Sequence, residues 1–314
     1  MLSKALILPS IQSPLGALPA RFRRPRVLIV GFGDVGARVA GLLRSSGRVM
    51  ALTRSANKLA ALQSQGITPL LGDLDTPDTL RRLAGIATHV VHMAPPPLEG
   101  HADPRTRALV LALRLRSLPS AVVYGSTTGV YGDCSGEWID ETRRLQPQTA
   151  RAQRRVNAQD WVNHLGKSGF PRTQVLRIPG IYALDREGGT PRERLLRGTP
   201  VLQAQEDVYT NHIHADDLAR ATVLAMWRGK PLRAMNVCDQ ANMKMGDYMD
   251  CVAEMWGLAK PPRISREQAN LQLSPMVMSF LNESRRIRAY RMTQELRLRL
   301  KYPTVMDGLQ GKTT

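Results

Sequence analysis

Residues 26–44 read RVLIVGFGDVGARVAGLLR, and no other stretch restricts the fold so strongly. Val27–Val30 form a short, β-branched apolar run that reads as a buried strand. Three glycines follow, Gly31, Gly33 and Gly36, and then a helical stretch from Asp34 to Arg44 with Val35, Val39, Leu42 and Leu43 on one side. A strand feeding a helix through G-x-G-x-x-G is how a chain builds a pyrophosphate cradle. The first glycine permits the tight turn, and the second lets the backbone approach the phosphates at the positive helix end. The third allows close helix–strand packing. On this reading Gly31, Phe32, Gly33, Asp34, Val35 and Gly36 form the phosphate loop, and the alternative is a glycine turn with no ligand.

The same alternation continues downstream. VMALT (49–53), ITPLLGD (67–73), HVVHMA (89–94), AVVYGS (121–126) and TQVLRI (173–178) read as strands. Helical stretches begin at NKLAALQSQG, TPDTLRRLAG, RALVLALRLRS and residues 148–165. Strands alternating with helices, with no hairpin signals, predict an α/β doubly wound parallel sheet. After Pro179 the rhythm loosens into short elements at 191–198 and 216–228, a strand near 234–238, a helix at 243–256 and a basic tail. The expected organisation is a flexible basic extension over 1–25, a Rossmann-type core over 26–180 with the strand near 234–238, and a smaller substrate lobe over 181–314. The lobe ends in ESRRIRAYRMTQELRLRL, expected as an amphipathic helix with its charge in water.

The second strand ends ALTRS, with Thr53 and Arg54 and no acid. An NAD site places Asp or Glu there for the adenosine ribose hydroxyls, whereas a guanidinium suits a 2′-phosphate. NADP is therefore favoured over NAD, and the alternative is an arginine merely exposed at a strand end.

Charge at first suggests something else. The net charge is +18, with 36 Arg against 8 Lys, which points towards anionic partners such as nucleic acid, a membrane surface or a phosphorylated ligand. The charge is spread along the chain, and no zinc-finger spacing, basic zipper or stacking motif accompanies it, so nucleic-acid binding is not the expectation. Three widely spaced cysteines, Cys134, Cys238 and Cys251, suit a reducing compartment. The sequence has no secretion-type apolar run at its start and no membrane-length run later. The expected location is cytoplasmic; a targeting role for the extension is the alternative. HIHADD (212–217) offers two histidines on one side of a strand, but Asp216 or Asp217 is expected as a helix cap, and no metal site is expected. His89 and His92 are expected to be packed.

YGSTTGVYGD (124–133), together with GFGDVG, resembles the extended, epimerase-like branch of the short-chain dehydrogenase/reductase superfamily. LGDL (71–74), HMAPP (92–96), LRIPGIYA (176–183), NHIHADDLARA (211–221) and NVCD (236–239) follow in the matching order. The ending SPMVMSFLNESRRI…RMTQELRLRLKYP resembles atypical bacterial members of the same branch. The resemblance implies that Asp73 and Leu74 face the adenine and that Met93, Ala94 and Pro95 pass the cofactor. It also implies that Pro179, Gly180 and Ile181 back the nicotinamide, and that the substrate is a small carbonyl or hydroxyl compound such as a nucleotide sugar. A homodimer is the implied assembly.

In that superfamily a Ser or Thr orients the reacting oxygen, and a Tyr four residues before a Lys does the acid/base work. Thr127 takes the hydroxyl position, with Ser126 beside it; the alternative is that these hydroxyls cap the following turn. The Tyr and Lys fall on Arg151 and Arg155 in PQTARAQRR. Arg155 could bond ribose hydroxyls, but Arg151 cannot replace a tyrosine, because a guanidinium stays protonated. Tyr131 and Tyr182 are the phenols nearest the expected pocket. Two readings follow: an NAD(P)-dependent oxidoreductase or epimerase-like enzyme with an atypical site, or a catalytically silent NADP-binding sensor or regulatory protein.

Overall fold

In the computed structural model, residues 24–167 and 170–310 are described, so the expected extension lies almost wholly outside them. Along the chain run β1 (Arg26–Val30), α1 (Asp34–Leu43), β2 (Arg48–Thr53), α2 (Leu59–Ser64), β3 (Thr68–Leu71), β4 (His89–His92), α3 (Pro104–Leu113) and β5 (Ala121–Thr127). Then come β6 (Trp138–Ile139), α4 (Ala150–Gly166), β7 (Arg172–Ile178), β8 (Gly180–Tyr182), α5 (Arg192–Leu196), β9 (Val201–Leu202), β10 (Tyr209–Thr210), β11 (His212–His214), α6 (Ala215–Arg228) and β12 (Arg233–Asn236). Short elements complete the chain, the longest being the helix Met245–Met255.

Seven parallel strands form one sheet in the order β12-β7-β5-β4-β1-β2-β3. β1 pairs with β2 on one side and β4 on the other, so the winding reverses beside the glycine loop. Ligands of open α/β sheets bind at such a switch point. The strands read as apolar runs because both faces are covered: Val27–Val30 are at most 1% exposed. On α1, Val35, Gly36, Val39, Ala40 and Leu43 turn inward at helical spacing. α3 starts cleanly because Asp103 accepts from the Thr106 amide at 3.1 Å and Pro104 takes the first helical position.

The chain divides into two compact units whose segments alternate. Of the described residues, the first comprises 24–125, 157–167, 170–175 and 222–233; the second comprises 126–156, 176–221 and 234–310. The first unit's core joins Leu28, Val30, Met50, Leu52, Leu80, Val90, Leu109 and Leu113. The second has separate apolar clusters, one around Tyr182, Tyr248 and Val252 and another around Val130, Tyr131, Cys134 and Ile287.

Three expectations need correction. TPDTLRRLAG forms a 3₁₀ helix over Pro77–Leu83 rather than an α-helix. Asp216 and Asp217 lie inside the first turn of α6 and do not cap it from outside. Asp217 is fully buried and accepts from the Lys301 and Tyr302 amides, each at 2.9 Å, and from Arg220 at 2.6 Å. The basic tail is not one helix. Arg286–Ile287 pair with β6, and only Tyr290–Gln294 are helical. Three of its six arginines bond carbonyls: Arg285 to Gly132 O at 2.6 Å, Arg286 to Gly136 O at 2.7 Å and Arg291 to Ala234 O at 2.8 Å, while Arg288, Arg297 and Arg299 are exposed. A buried arginine needs such partners, since an unpaired guanidinium would lose its hydration uncompensated.

Candidate functional site

The three glycines of the G-x-G-x-x-G stretch after β1 do separate jobs. Gly31 has φ +87°, and a Cβ on it would lie 2.2 Å from the Ala94 nitrogen. That nitrogen is fixed, because the Met93 and Ala94 amides both donate to Val30 O, at 2.7 and 3.1 Å. A Cβ on Gly36 would meet Gly31 O at 3.0 Å and Ile29 Cγ2 at 3.2 Å, so helix and strand pack as closely as a hydrogen atom allows. A Cβ on Gly33 would have nothing within 4 Å. Open space therefore lies against an exposed backbone at the positive end of α1, as a pyrophosphate requires. Val35 is buried beneath the loop and Phe32 is half-buried. Asp34 pairs with Arg38 at 3.1 Å, which offsets its charge there.

Beside this loop, Thr53 closes a small turn by accepting from the Ser55 amide at 3.2 Å. Arg54 is exposed and makes no hydrogen bond or ion pair among the described residues. Asp73 accepts from the Asp75 amide at 3.0 Å, and Leu74 packs on the core. Asp75 in turn grips Arg105 through two contacts, of 2.7 and 2.6 Å. The hydrogen bond from Arg105 holds the Asp75 carboxyl below the usual carboxylate range. Arg105 also donates to Pro95 O at 3.3 Å and Pro96 O at 3.4 Å, bracing the Met93–Ala94–Pro95 turn against the loop after β3. His92 is buried at the end of β4, its Nε2 2.8 Å from Thr106 Oγ1. Thr106 donates to Asp103 at 2.7 Å, so its oxygen is left to accept and the Nε2 carries the proton. The residues present thus fit a dinucleotide.

In the second unit Ser126 is buried and Thr127 is half-exposed. Thr127 Oγ1 does cap the following turn, accepting from the Gly129 amide at 3.3 Å. That bond spends a lone pair and leaves its own O–H to donate. α4 begins because Thr149 accepts from the Ala152 amide at 3.2 Å. Arg151 is exposed with its guanidinium 5.4 Å above the Phe280 ring, and Arg155 is half-buried one turn on. Pro179 leads into β8, where Gly180 and Ile181 pair with β11 in the register Gly180↔His212 and Ile181↔Ile213.

The two phenols are already committed. Tyr131 donates to Asn236 Oδ1 at 2.7 Å and accepts from Arg177 at 2.8 Å, with burial pushing its pKa up. Tyr182 donates to Thr304 O at 3.0 Å and is likewise raised by burial. Neither is a free acid or base.

His212 and His214 do share one side of β11, but they stack on tyrosines: His212 at 4.5 Å from Tyr248 and His214 at 3.7 Å from Tyr302. No group of three His, Cys, Asp or Glu among the described residues could hold a metal ion. Burial pushes His212 down to about 4, and burial with Arg172 nearby does the same to His89. Both values lie below the unfolded value near 6.5, so the unfolded chain binds the extra protons between about 6.5 and 4. Their contribution is complete above pH 6.5 and is lost as pH falls towards 4, about 3 kcal/mol each. Thermal melts at pH 7 and pH 5 check this. The stability gap between wild type and His212→Phe should narrow by about 2 kcal/mol on acidification; a constant gap refutes the assignment.

Residues 27–97 match the TrkA-N domain family. No curated protein matches the chain. Among solved structures, a conserved protein of unknown function from Silicibacter pomeroyi is similar over 91% of this chain and 97% of its own, with 29% identity and a TM-score of 0.75. UDP-glucose 4-epimerase from Thermotoga maritima, solved with UDP-glucose, covers 91% and 96% with 16% identity and a TM-score of 0.72. MoeE5, solved with UDP-glucose and NAD, covers 91% and 96% with 19% identity and a TM-score of 0.69. The chain thus shares the fold of these structures, a Rossmann-type α/β sheet of seven parallel strands.

Two residues near Thr127 escaped the sequence reading. Glu283 and Arg285 are both buried and are paired at 2.7 Å. They belong to ESRRI, which reads as the start of a solvated amphipathic helix, so no local signal marked them as internal. Arg105 was missed because it precedes the expected helix beginning at Arg107, and nothing in the sequence ties it to Asp75.

Proposed function

We propose that this protein is an NADP-dependent oxidoreductase or epimerase-like enzyme acting on a hydroxyl- or carbonyl-bearing substrate, with a nucleotide sugar as the favoured class. The observation that carries the reading is the open space at Gly33 beside an uncommitted Arg54. The first unit holds the dinucleotide on Gly31–Gly36, with Asp73, Leu74, Met93, Ala94 and Pro95 along its length and Arg54 on the 2′-phosphate. Bound nicotinamide supplies or takes up the hydride. Thr127 orients the substrate oxygen, with Ser126 beside it. Arg151 meets negative charge on the substrate, Arg155 meets ribose hydroxyls, and Pro179–Ile181 back the nicotinamide. The UDP-glucose in the Thermotoga maritima and MoeE5 structures supports the substrate class.

Titration with NADPH and NADH tests the cofactor. Arg54→Ala should weaken NADPH about 10–100-fold, the worth of one charge-assisted contact, and leave NADH within threefold. Equal loss for both cofactors, or none, removes the 2′-phosphate assignment.

A second reading makes NADP a ligand of a sensor or regulatory protein. The arginine at position 151 and the committed phenols Tyr131 and Tyr182 favour it. It predicts NADPH binding without hydride transfer to or from any compound offered.

A further inference from the structure

The missing acid/base group has a structural candidate in Glu283. A Cβ on Gly129 would lie 3.7 Å from Thr127 Oγ1 and 3.9 Å from Glu283 Oε2. Hydroxyl and carboxylate therefore face one common point, kept open because residue 129 has no side chain. Glu283 is only 9% exposed, and Oε2 accepts from Arg285 at 2.7 Å. Its Oε1 has no hydrogen-bond partner among the described residues. Arg285, itself 8% exposed, is anchored on Gly132 O at 2.6 Å, so the carboxylate is held rather than free to swing. The Arg151 guanidinium, stacked on Phe280, is near enough for its charge and that of Glu283 to interact. An unspent donor on Thr127, an unspent acceptor on Glu283 and a nearby cation are what a reacting C–O group needs.

We infer that Glu283 is the proton-transferring catalytic residue in place of the superfamily's tyrosine. The inference rests on the proposed function. In the oxidising direction Thr127 donates a hydrogen bond to the substrate oxygen. The substrate O–H bond breaks and its proton passes to Glu283 Oε1. Bound oxidised nicotinamide would accept the carbon's hydrogen with its electron pair as hydride, leaving a C=O bond. In the reducing direction the carboxylic acid returns the proton. Arg285 stays protonated throughout and acts as a positioning residue, holding Oε2 so that Oε1 faces the opening. Arg151 keeps its charge as well.

The test uses the full chain, NADPH binding by fluorescence, and UDP-glucose as the substrate probe for binding and for NADP-linked oxidation. Glu283→Gln should keep its melting temperature within a few degrees and its NADPH affinity within twofold. Its turnover should fall at least 100-fold with KM changed less than threefold, and the acid limb of the pH–rate profile should disappear from what remains. Glu283→Asp should recover at least tenfold of that loss. Gly129→Leu, which fills the opening, should abolish UDP-glucose binding and leave NADPH binding intact. Turnover of Glu283→Gln within threefold of wild type overturns the assignment. So does undiminished UDP-glucose binding by Gly129→Leu, or a wild type that binds NADPH but no UDP-glucose. A wild type that fails to bind NADPH at all overturns the dinucleotide reading beneath it, which is a separate and recognisable result.

Discussion

Gly31→Ala is expected to melt roughly 10 °C below wild type, while Gly33→Ala melts with it. The two changes add the same methyl group two residues apart, and the surroundings decide the outcome. At Gly31 the new carbon would overlap the Ala94 backbone at 2.2 Å and sit at φ +87°. Neither problem can relax, since the Met93 and Ala94 amides are both bonded to Val30 O at the C-terminal end of β1. Backbone overlap and a left-handed alanine together cost about 3–5 kcal/mol. At Gly33 the methyl meets nothing within 4 Å, so stability should be spared. It would, however, enter the space read as the pyrophosphate's, and NADPH affinity should fall at least tenfold. Thermal melts paired with NADPH titration separate the effects. Undiminished NADPH affinity in Gly33→Ala would remove the phosphate from this loop.

Asp217→Ala should destabilise the second unit by about 3–5 kcal/mol. The carboxylate has no contact with solvent and satisfies the amides of Lys301 and Tyr302 as well as Arg220. Alanine leaves two backbone donors and a guanidinium without their partner. Tyr302, whose ring stacks on His214 at 3.7 Å, would lose its anchor on the backbone side. Amide hydrogen exchange gives the local readout. Lys301 and Tyr302 should exchange faster in the variant than amides of the first unit's sheet. Exchange at wild-type rates would show that another group holds this segment.

The sheet was legible because parallel strands buried on both faces must be apolar runs, and VLIV, VMALT, HVVH and AVVY are such runs. The glycine loop was legible because the turn, the approach and the packing each demand a residue type at a fixed spacing. The tail was not. An arginine bonded to a carbonyl and one in water look alike in sequence, so Arg285, Arg286 and Arg291 were assigned to solvent when they bind Gly132, Gly136 and Ala234. Asp217 misled for a related reason. A helix-start acid is read as a cap, and its real partners come from residues 301 and 302. Glu283 lies beyond sequence reasoning of this kind, because its meaning comes from Gly129 and Thr127, distant in the chain and adjacent in the fold.

The alternation of the two units along the chain sets an order of assembly during synthesis. At 5–20 residues per second the chain takes roughly 15–60 s to emerge. The first unit lacks its last segment until residue 233 has been made, and the second remains incomplete until the residues after 300 arrive. A truncated product of about 280 residues would carry every residue of the phosphate loop and Thr127, yet lack Glu283 and the backbone donors that Asp217 accepts. Translation must therefore pass residue 283 before the proposed proton-transfer residue exists, so termination before that point yields at most a dinucleotide binder.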